Sequence, residues 1–254
     1  MNVDLFRVPS GAGEIAVLLY EARRARAVTL VVGHGYSSSK QNLDPLCAFL
    51  ASHGFTVYSL DFPGHKLGAS GGRLRSAEDL IDAMDAVVTT ARRQHANPIY
   101  VMGHSMGATT ALCAAGRDPS IAGAIAIATG WGRPQALDAL AARGVVDLRS
   151  GYVDGLALPE LAAQWQPLLA DALPNLAGRP TLIIAAERDG MVARSSVEEL
   201  FARTPEPKTL LAVASDHTNA GEGSRAAVLG WLNEMHPRDA GADAGIAEPV
   251  DAAL

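Results

Sequence analysis

Aromatic residues make up only 5% of this 254-residue chain, cysteine occurs twice, and no block of lysine and arginine runs through it. Each scarcity excludes something. Two cysteines make no disulfide framework, and Cys47 and Cys113, both in apolar, helix-like surroundings, read as free buried thiols of a cytoplasmic protein. A net charge of −6 without a basic run argues against nucleic acid and anionic membrane surfaces as partners. The longest apolar stretch, Ile121 to Thr129, is too short to span a bilayer, and Asp4 and Arg7 interrupt the first ten residues as a secretory signal. No group of His, Cys and Asp has metal-ligand spacing, so neither a metal nor an organic cofactor is expected.

What the chain does have is length and apolar content. With 48% hydrophobic residues it can bury one large core, expected over residues 1–236. Short apolar runs predict strands at Val3–Val8, Glu14–Tyr20, Val28–Val32, Phe55–Leu60, Pro98–Met102, Ala122–Ala128, Thr181–Ala186 and Lys208–Val213. Helical periods predict Leu43–Ser52, Ala77–Arg93 with Ser76 as N-cap, Ala108–Ala115, Ser196–Arg203 and Gly223–Glu234. A hairpin followed by alternating strands and helices implies an α/β fold, a mostly parallel eight-stranded sheet flanked by helices. Trp131 to Arg179 breaks the alternation, with a helix expected at Pro134–Arg143, a small hairpin from Val145–Leu148 to Tyr152–Asp154, and a helix at Leu158–Gln166. A connection of that length marks a lid-like insertion, about 131–179. Residues 237–254, rich in Ala, Gly and Asp, read as a disordered tail.

G-x-S-x-G occurs twice. Gly103-His104-Ser105-Met106-Gly107 sits between an apolar strand and an Ala-rich helix, the setting of a nucleophile elbow, whereas Gly68-Ala69-Ser70-Gly71-Gly72 sits in a flexible connection. Ser105 is therefore the candidate nucleophile. A serine hydroxyl needs a base, and His217 follows the strand Lys208–Val213, while His236 lies beyond the last helix as a surface residue. The base needs a carboxylate, and Asp189 follows the strand Thr181–Ala186, with Glu187 as its rival. The order is then Ser105, Asp189, His217. Oxyanion donors are expected from the N–H groups of Met106 and of Tyr36, in the loop Gly33-His34-Gly35-Tyr36, which His34 holds by hydrogen bonding. His104 reads as packed beneath the elbow without a chemical role.

These motifs, with Asp61-Phe62-Pro63-Gly64-His65, Asp189-Gly190-Met191-Val192 and Asp216-His217, resemble the α/β-hydrolases. Within that group the chain is similar to the branch of serine aminopeptidases, monoglyceride lipases and bacterial feruloyl esterases. The resemblance implies an acyl-enzyme mechanism and a lid over the acyl pocket, and it admits a homodimer. Tyr36, Trp131, Tyr152, Leu156, Leu158 and Trp165 are the candidate pocket residues. The function expected is cleavage of small-molecule carboxylic esters with small to medium acyl groups. The alternatives are an amidase or peptidase, with Glu160 and Asp154 to receive a substrate amine, a thioesterase, and a non-catalytic binding relative.

Overall fold

The computed structural model of the chain describes residues 1–132 and 137–237. Nine-residue strands β1 (Asn2–Ser10) and β2 (Gly13–Glu21) form the initial hairpin. Then follow β3 (Thr29–Gly33), α1 (Asp44–Ser52), β4 (Thr56–Leu60), α2 (Ala77–Gln94), β5 (Ile99–His104), α3 (Met106–Arg117) and β6 (Gly123–Ile127). Helices α4 (Leu137–Ala142), α5 (Val145–Ser150) and α6 (Leu158–Ala172) precede β7 (Thr181–Arg188). The chain continues through α7 (Arg194–Arg203), β8 (Lys208–Asp216), α8 (Ala220–Gly223) and α9 (Arg225–Met235). The strands form one eight-stranded sheet in the order β1-β2-β4-β3-β5-β6-β7-β8. Only the β1–β2 and β2–β4 pairs are antiparallel.

Every residue of β3, β4 and β6 is buried, as expected of strands covered on both faces. The two-residue side-chain period sorts their residues between two core layers. Val31, Val101, Ala126 and Ile183 pack on one face with Met84 of α2, Leu112 of α3 and Leu161 of α6. Leu30, Met102, Ile125 and Ile184 pack on the other with Leu50 of α1 and Trp231 of α9. Each large aliphatic side chain so buried contributes about 1.5–3 kcal/mol. Helix α2 starts at a capping box, in which the Ser76 hydroxyl accepts from Asp79 N–H and the Asp79 carboxylate accepts from Ser76 N–H. Cys47 and Cys113 are both free and buried, and burial pushes each thiol pKa up to about 12.

The segment between β6 and β7 departs from expectation. Val145–Ser150 is helical rather than the first arm of a hairpin. The extended piece after it does pair, but with the loop that follows β4. Asp154 N–H donates to Gly64 O at 2.7 Å, Leu74 N–H to Asp154 O at 2.9 Å and Leu156 N–H to Leu74 O at 2.8 Å. With that partner taken, the segment 145–148, opened by two valines, satisfies its backbone locally, as a turn of helix. Helix α6 also runs further than its period suggested, to Ala172, with Pro167 inside it. Residues 134–136 of the expected helix, and 238–254 of the expected tail, lie outside the described residues.

Behind the carboxyl ends of β3 and β4 lies a buried ion pair. Asp61, fully buried, accepts from Lys40 Nζ, from Lys40 N–H at 2.8 Å and from Ala69 N–H at 2.7 Å. Burial works against its ionisation, but Lys40 and these amides win and hold its pKa below the carboxylate range. Ser70 belongs to the same knot, donating to Asp61 O at 2.6 Å and accepting from Ala16 N–H at 2.8 Å. The second G-x-S-x-G is thus tied down rather than flexible. Lys40→Met leaves the Asp61 charge buried without its cation. The expected loss is about 3–5 kcal/mol of unfolding free energy, read from guanidinium denaturation. A change below about 1 kcal/mol, the scale of an exposed pair, would contradict it.

Candidate active site

Ser105 sits at the junction of β5 and α3 with φ 53° and ψ −116°, a backbone conformation that costs a non-glycine residue energy. The glycines on either side explain why the motif is spaced as it is. A Cβ on Gly103 would lie 2.2 Å from the Gly107 carbonyl, and one on Gly107 would lie 2.2 Å from Gly33 O. The strand therefore passes the helix, and the helix passes β3, backbone against backbone. Ser105 N–H donates to Ile127 O at 2.8 Å, which fixes the turn to the end of β6.

From this turn Ser105 Oγ stands 3.0 Å from His217 Nε2, and His217 Nδ1 stands 2.8 Å from Asp189 Oδ2. Asp189 Oδ1 accepts from the N–H groups of Met191 and Val192, both at 2.8 Å. Burial raises the Asp189 pKa, but His217 and the two amides outweigh it and hold the carboxylate below its ordinary range. Glu187 ends exposed on β7, and the exposed Asp216 carboxylate binds the Asn219 backbone and side chain. His236 is elsewhere, its Nε2 2.9 Å from the Tyr100 hydroxyl. The structure thus brings Ser105, His217 and Asp189 together and leaves the rival acids and the rival histidine out.

The loop after β3 runs beside Ser105. A Cβ on Gly35 would lie 3.1 Å from His104 Nδ1 and 3.5 Å from Ser105 Cβ. His34 Nδ1–H donates to Gly35 O at 2.7 Å while its Nε2 accepts from Phe62 N–H at 3.0 Å, so the ring is a neutral brace. Burial pushes its pKa to about 4. Met106 N–H heads α3, where the first N–H groups have no intrahelical acceptor and face the positive end of the helix dipole. His104 is less idle than its sequence position suggested. Its Nε2 lies 2.6 Å from His217 O, and with the carbonyl as acceptor it must donate. It thereby ties the elbow strand to the histidine loop, and burial first, then His217, pushes its pKa to about 4.

Over Ser105 lies a cavity of about 140 Å³, mainly apolar, lined by Tyr36, Trp131, Leu137, Leu158, Trp165 and Met191 among others. Of the expected pocket residues, Tyr152 and Leu156 do not reach it. Tyr152 is exposed because the segment turns at α5, and Leu156 packs against the core while its carbonyl accepts from the Tyr36 hydroxyl at 2.8 Å. Leu137, Leu161, Met191, Val192 and Arg149 are lining residues that went unread. Met191 and Val192 had a signal, since they follow Asp189 within its motif, whereas Arg149 had none beyond its place in an expected turn. Among the described residues no helix is long and apolar enough to cross a membrane.

The sheet order, the serine on a strained strand-to-helix turn and the Ser, Asp, His order along the chain define an α/β-hydrolase. Residues 24–177, more than half of the chain, match the family model of the serine aminopeptidase, S33 group, and the chain belongs to that family. It is 32% identical over 94 residues to a monoglyceride lipase homolog of Monkeypox virus, covering 35% of this chain and 33% of the relative. It is 30% identical over 144 residues to the 2-(acetamidomethylene)succinate hydrolase of Mesorhizobium japonicum, covering 55% of this chain and 50% of the relative. The matched segments thus span a third to a half of these curated relatives. An esterase of Pyrococcus furiosus shares the fold, with a TM-score of 0.67 at 22% identity over 92% of this chain and 90% of that one.

The backbone contact at Gly107 gives a direct test. Gly107→Ala drives a methyl into the Gly33 carbonyl and is expected to lose about 3 kcal/mol or more of stability, the upper end of overpacking. Gly11→Ala, where nothing lies within 4 Å, should change it by less than about 0.5 kcal/mol. Equal chemical-denaturation curves for the two variants would contradict the close approach.

Proposed function

We propose that this protein is a serine hydrolase that cleaves carboxylic esters of small to medium acyl groups through an acyl-enzyme. The observation that carries the reading is the chain of contacts Ser105 Oγ to His217 Nε2 at 3.0 Å and His217 Nδ1 to Asp189 Oδ2 at 2.8 Å. In this mechanism Ser105 attacks the ester carbonyl while His217 takes its proton and Asp189 holds the ring and its charge. The N–H groups of Met106 and Tyr36 receive the oxyanion, each contributing about 2.7–4 kcal/mol. His217 then protonates the leaving alcohol, and water resolves the acyl-enzyme with His217 again as base. The segment between β6 and β7 serves as the lid, with Trp131, Leu158 and Trp165 facing the acyl group.

An amide-cleaving reading has support of its own, since the family is named for aminopeptidases and one relative for hydrolysis of an acetamidomethylene compound. An aminopeptidase, however, needs a carboxylate for the substrate ammonium. No Asp or Glu lines the cavity among the described residues. Glu160 accepts from Ala157 N–H and Asp154 pairs with Arg73, both outside it. The lining therefore favours an ester over a peptide N-terminus.

The test is hydrolysis of p-nitrophenyl esters from acetate to long acyl chains, with methyl ferulate added. Ser105→Ala is expected to abolish all but about one part in 10⁶ of kcat, and Asp189→Asn to lower it about 10⁴-fold. Folded wild-type protein that turns over none of these esters, or a Ser105→Ala variant that retains wild-type rates, overturns the proposal.

A further inference from the structure

Among the described residues lining the cavity over Ser105, one carries a permanent charge, and no described carboxylate is its counterion. The cavity's ionisable lining residues, among those described, are Tyr36, His104, His217 and Arg149, and the Tyr36 phenol is neutral, donating to Leu156 O. His104 is the neutral donor to His217 O, and His217 is engaged by Ser105 and Asp189. Arg149 reaches the cavity from α5 and makes a single side-chain hydrogen bond, from Nη1 to Ser37 Oγ at 3.3 Å. It forms no ion pair with any described carboxylate. The acids nearby in sequence are turned to other work. Asp147 is exposed on α5, Asp154 pairs with Arg73, and Glu160 lines a separate surface depression with Arg73 and Arg75.

A half-buried guanidinium in a cavity with no other permanent charge among its described lining residues leaves most of its donors for whatever enters. Planar, bidentate recognition of a carboxylate is what that group does best, and a partly dehydrated site strengthens it. Ser37 places the cation. Its φ of 55° puts it in the left-handed region, directly after Tyr36, and its hydroxyl anchors Arg149 there. The charge is therefore held beside the loop that borders the reacting serine, away from bulk acids and within the substrate space.

We infer that Arg149 is a specificity residue that binds a carboxylate on the substrate, so that the preferred substrates are half-esters or carboxylated esters rather than neutral ones. The inference rests on the hydrolase reading above. The carboxylate belongs to either the acyl or the alcohol part, and the two are separated by matched substrates. Mono-p-nitrophenyl glutarate against p-nitrophenyl valerate probes the acyl side, and 4-carboxyphenyl against 4-acetylphenyl valerate probes the alcohol side.

For wild type, the anionic member of one pair is expected to have kcat/KM roughly ten- to hundredfold above its neutral partner, the range of a charged hydrogen bond, carried mainly by KM. Arg149→Gln should collapse that ratio by the same factor, and Arg149→Lys should restore part of it. Reading the ratio cancels any loss that both substrates share through the Ser37 contact. Neutral esters cleaved as well as or better than anionic ones, or a ratio unmoved by Arg149→Gln, overturns the inference while leaving the esterase reading intact. Absence of turnover on all four substrates instead counts against the esterase reading. In that event calorimetric titration of monomethyl glutarate into Ser105→Ala, and into the Ser105→Ala, Arg149→Gln double variant, decides the binding claim. A Kd roughly tenfold or more weaker in the double variant supports it, and equal Kd values overturn it.

Discussion

Between β5 and α3 the main chain turns so tightly that Gly103 touches Gly107 and Gly107 touches Gly33, with no room for a methyl group at either contact. The rest of the site depends on this. It forces Ser105 into positive φ, points its hydroxyl out of the sheet at the strand ends, and sets the first N–H groups of α3 beside it. It also brings the loop after β3 against the serine, because that loop continues from the same Gly33. A neutral buried His34 then braces the loop from below, bonding both Gly35 O and Phe62 N–H. The proposed nucleophile and oxyanion donors are in this way parts of one packed junction rather than separate features.

A second set of contacts joins that junction to the segment between β6 and β7. The Tyr36 hydroxyl donates to Leu156 O, Arg149 donates to Ser37, and Asp154 exchanges backbone hydrogen bonds with Gly64 and Leu74. That segment is therefore registered on the loops after β3 and β4 and not only rested on the core. Below those loops, the Lys40–Asp61 pair and Ser70 bind Ala16, Asp61 and Ala69 into one buried polar cluster. Such a cluster is costly to form and more costly to break, which suits a region that carries the proposed backbone donors.

The two G-x-S-x-G sequences show what a pattern carries. Around Ser105 the glycines are compelled by backbone contact on both sides. Around Ser70, Gly68 and Gly72 are compelled as well, but by the Asp61 carboxylate and by Ala12 O, in a loop with no strand before it and no helix directly after. The same spacing thus serves two different close approaches. Only the flanking strand and helix tell them apart, and both are readable from hydrophobic period. The family match ends at residue 177, before Asp189 and His217, so these two join Ser105 through space and not through that match.

Sequence alone determined the alternation of strands and helices, the mostly parallel eight-stranded sheet, and Ser105 and His217 at strand ends with an acid, Asp189 or Glu187, between them in the chain. These follow from local rules: apolar period, caps, and glycines where the backbone must pass closely. What only the tertiary structure decided lies where residues choose among distant partners. Val145–Ser150 is a helix because the strand that would have paired with it pairs with the loop after β4. Asp189 and not Glu187 meets His217 because β7 ends with Glu187 exposed. His104 holds the His217 loop, and Arg149 enters the cavity on its Ser37 contact, through contacts 113 and 112 residues apart in the chain. No local period encodes a contact across such a separation, because the partner's position exists only once the sheet has closed.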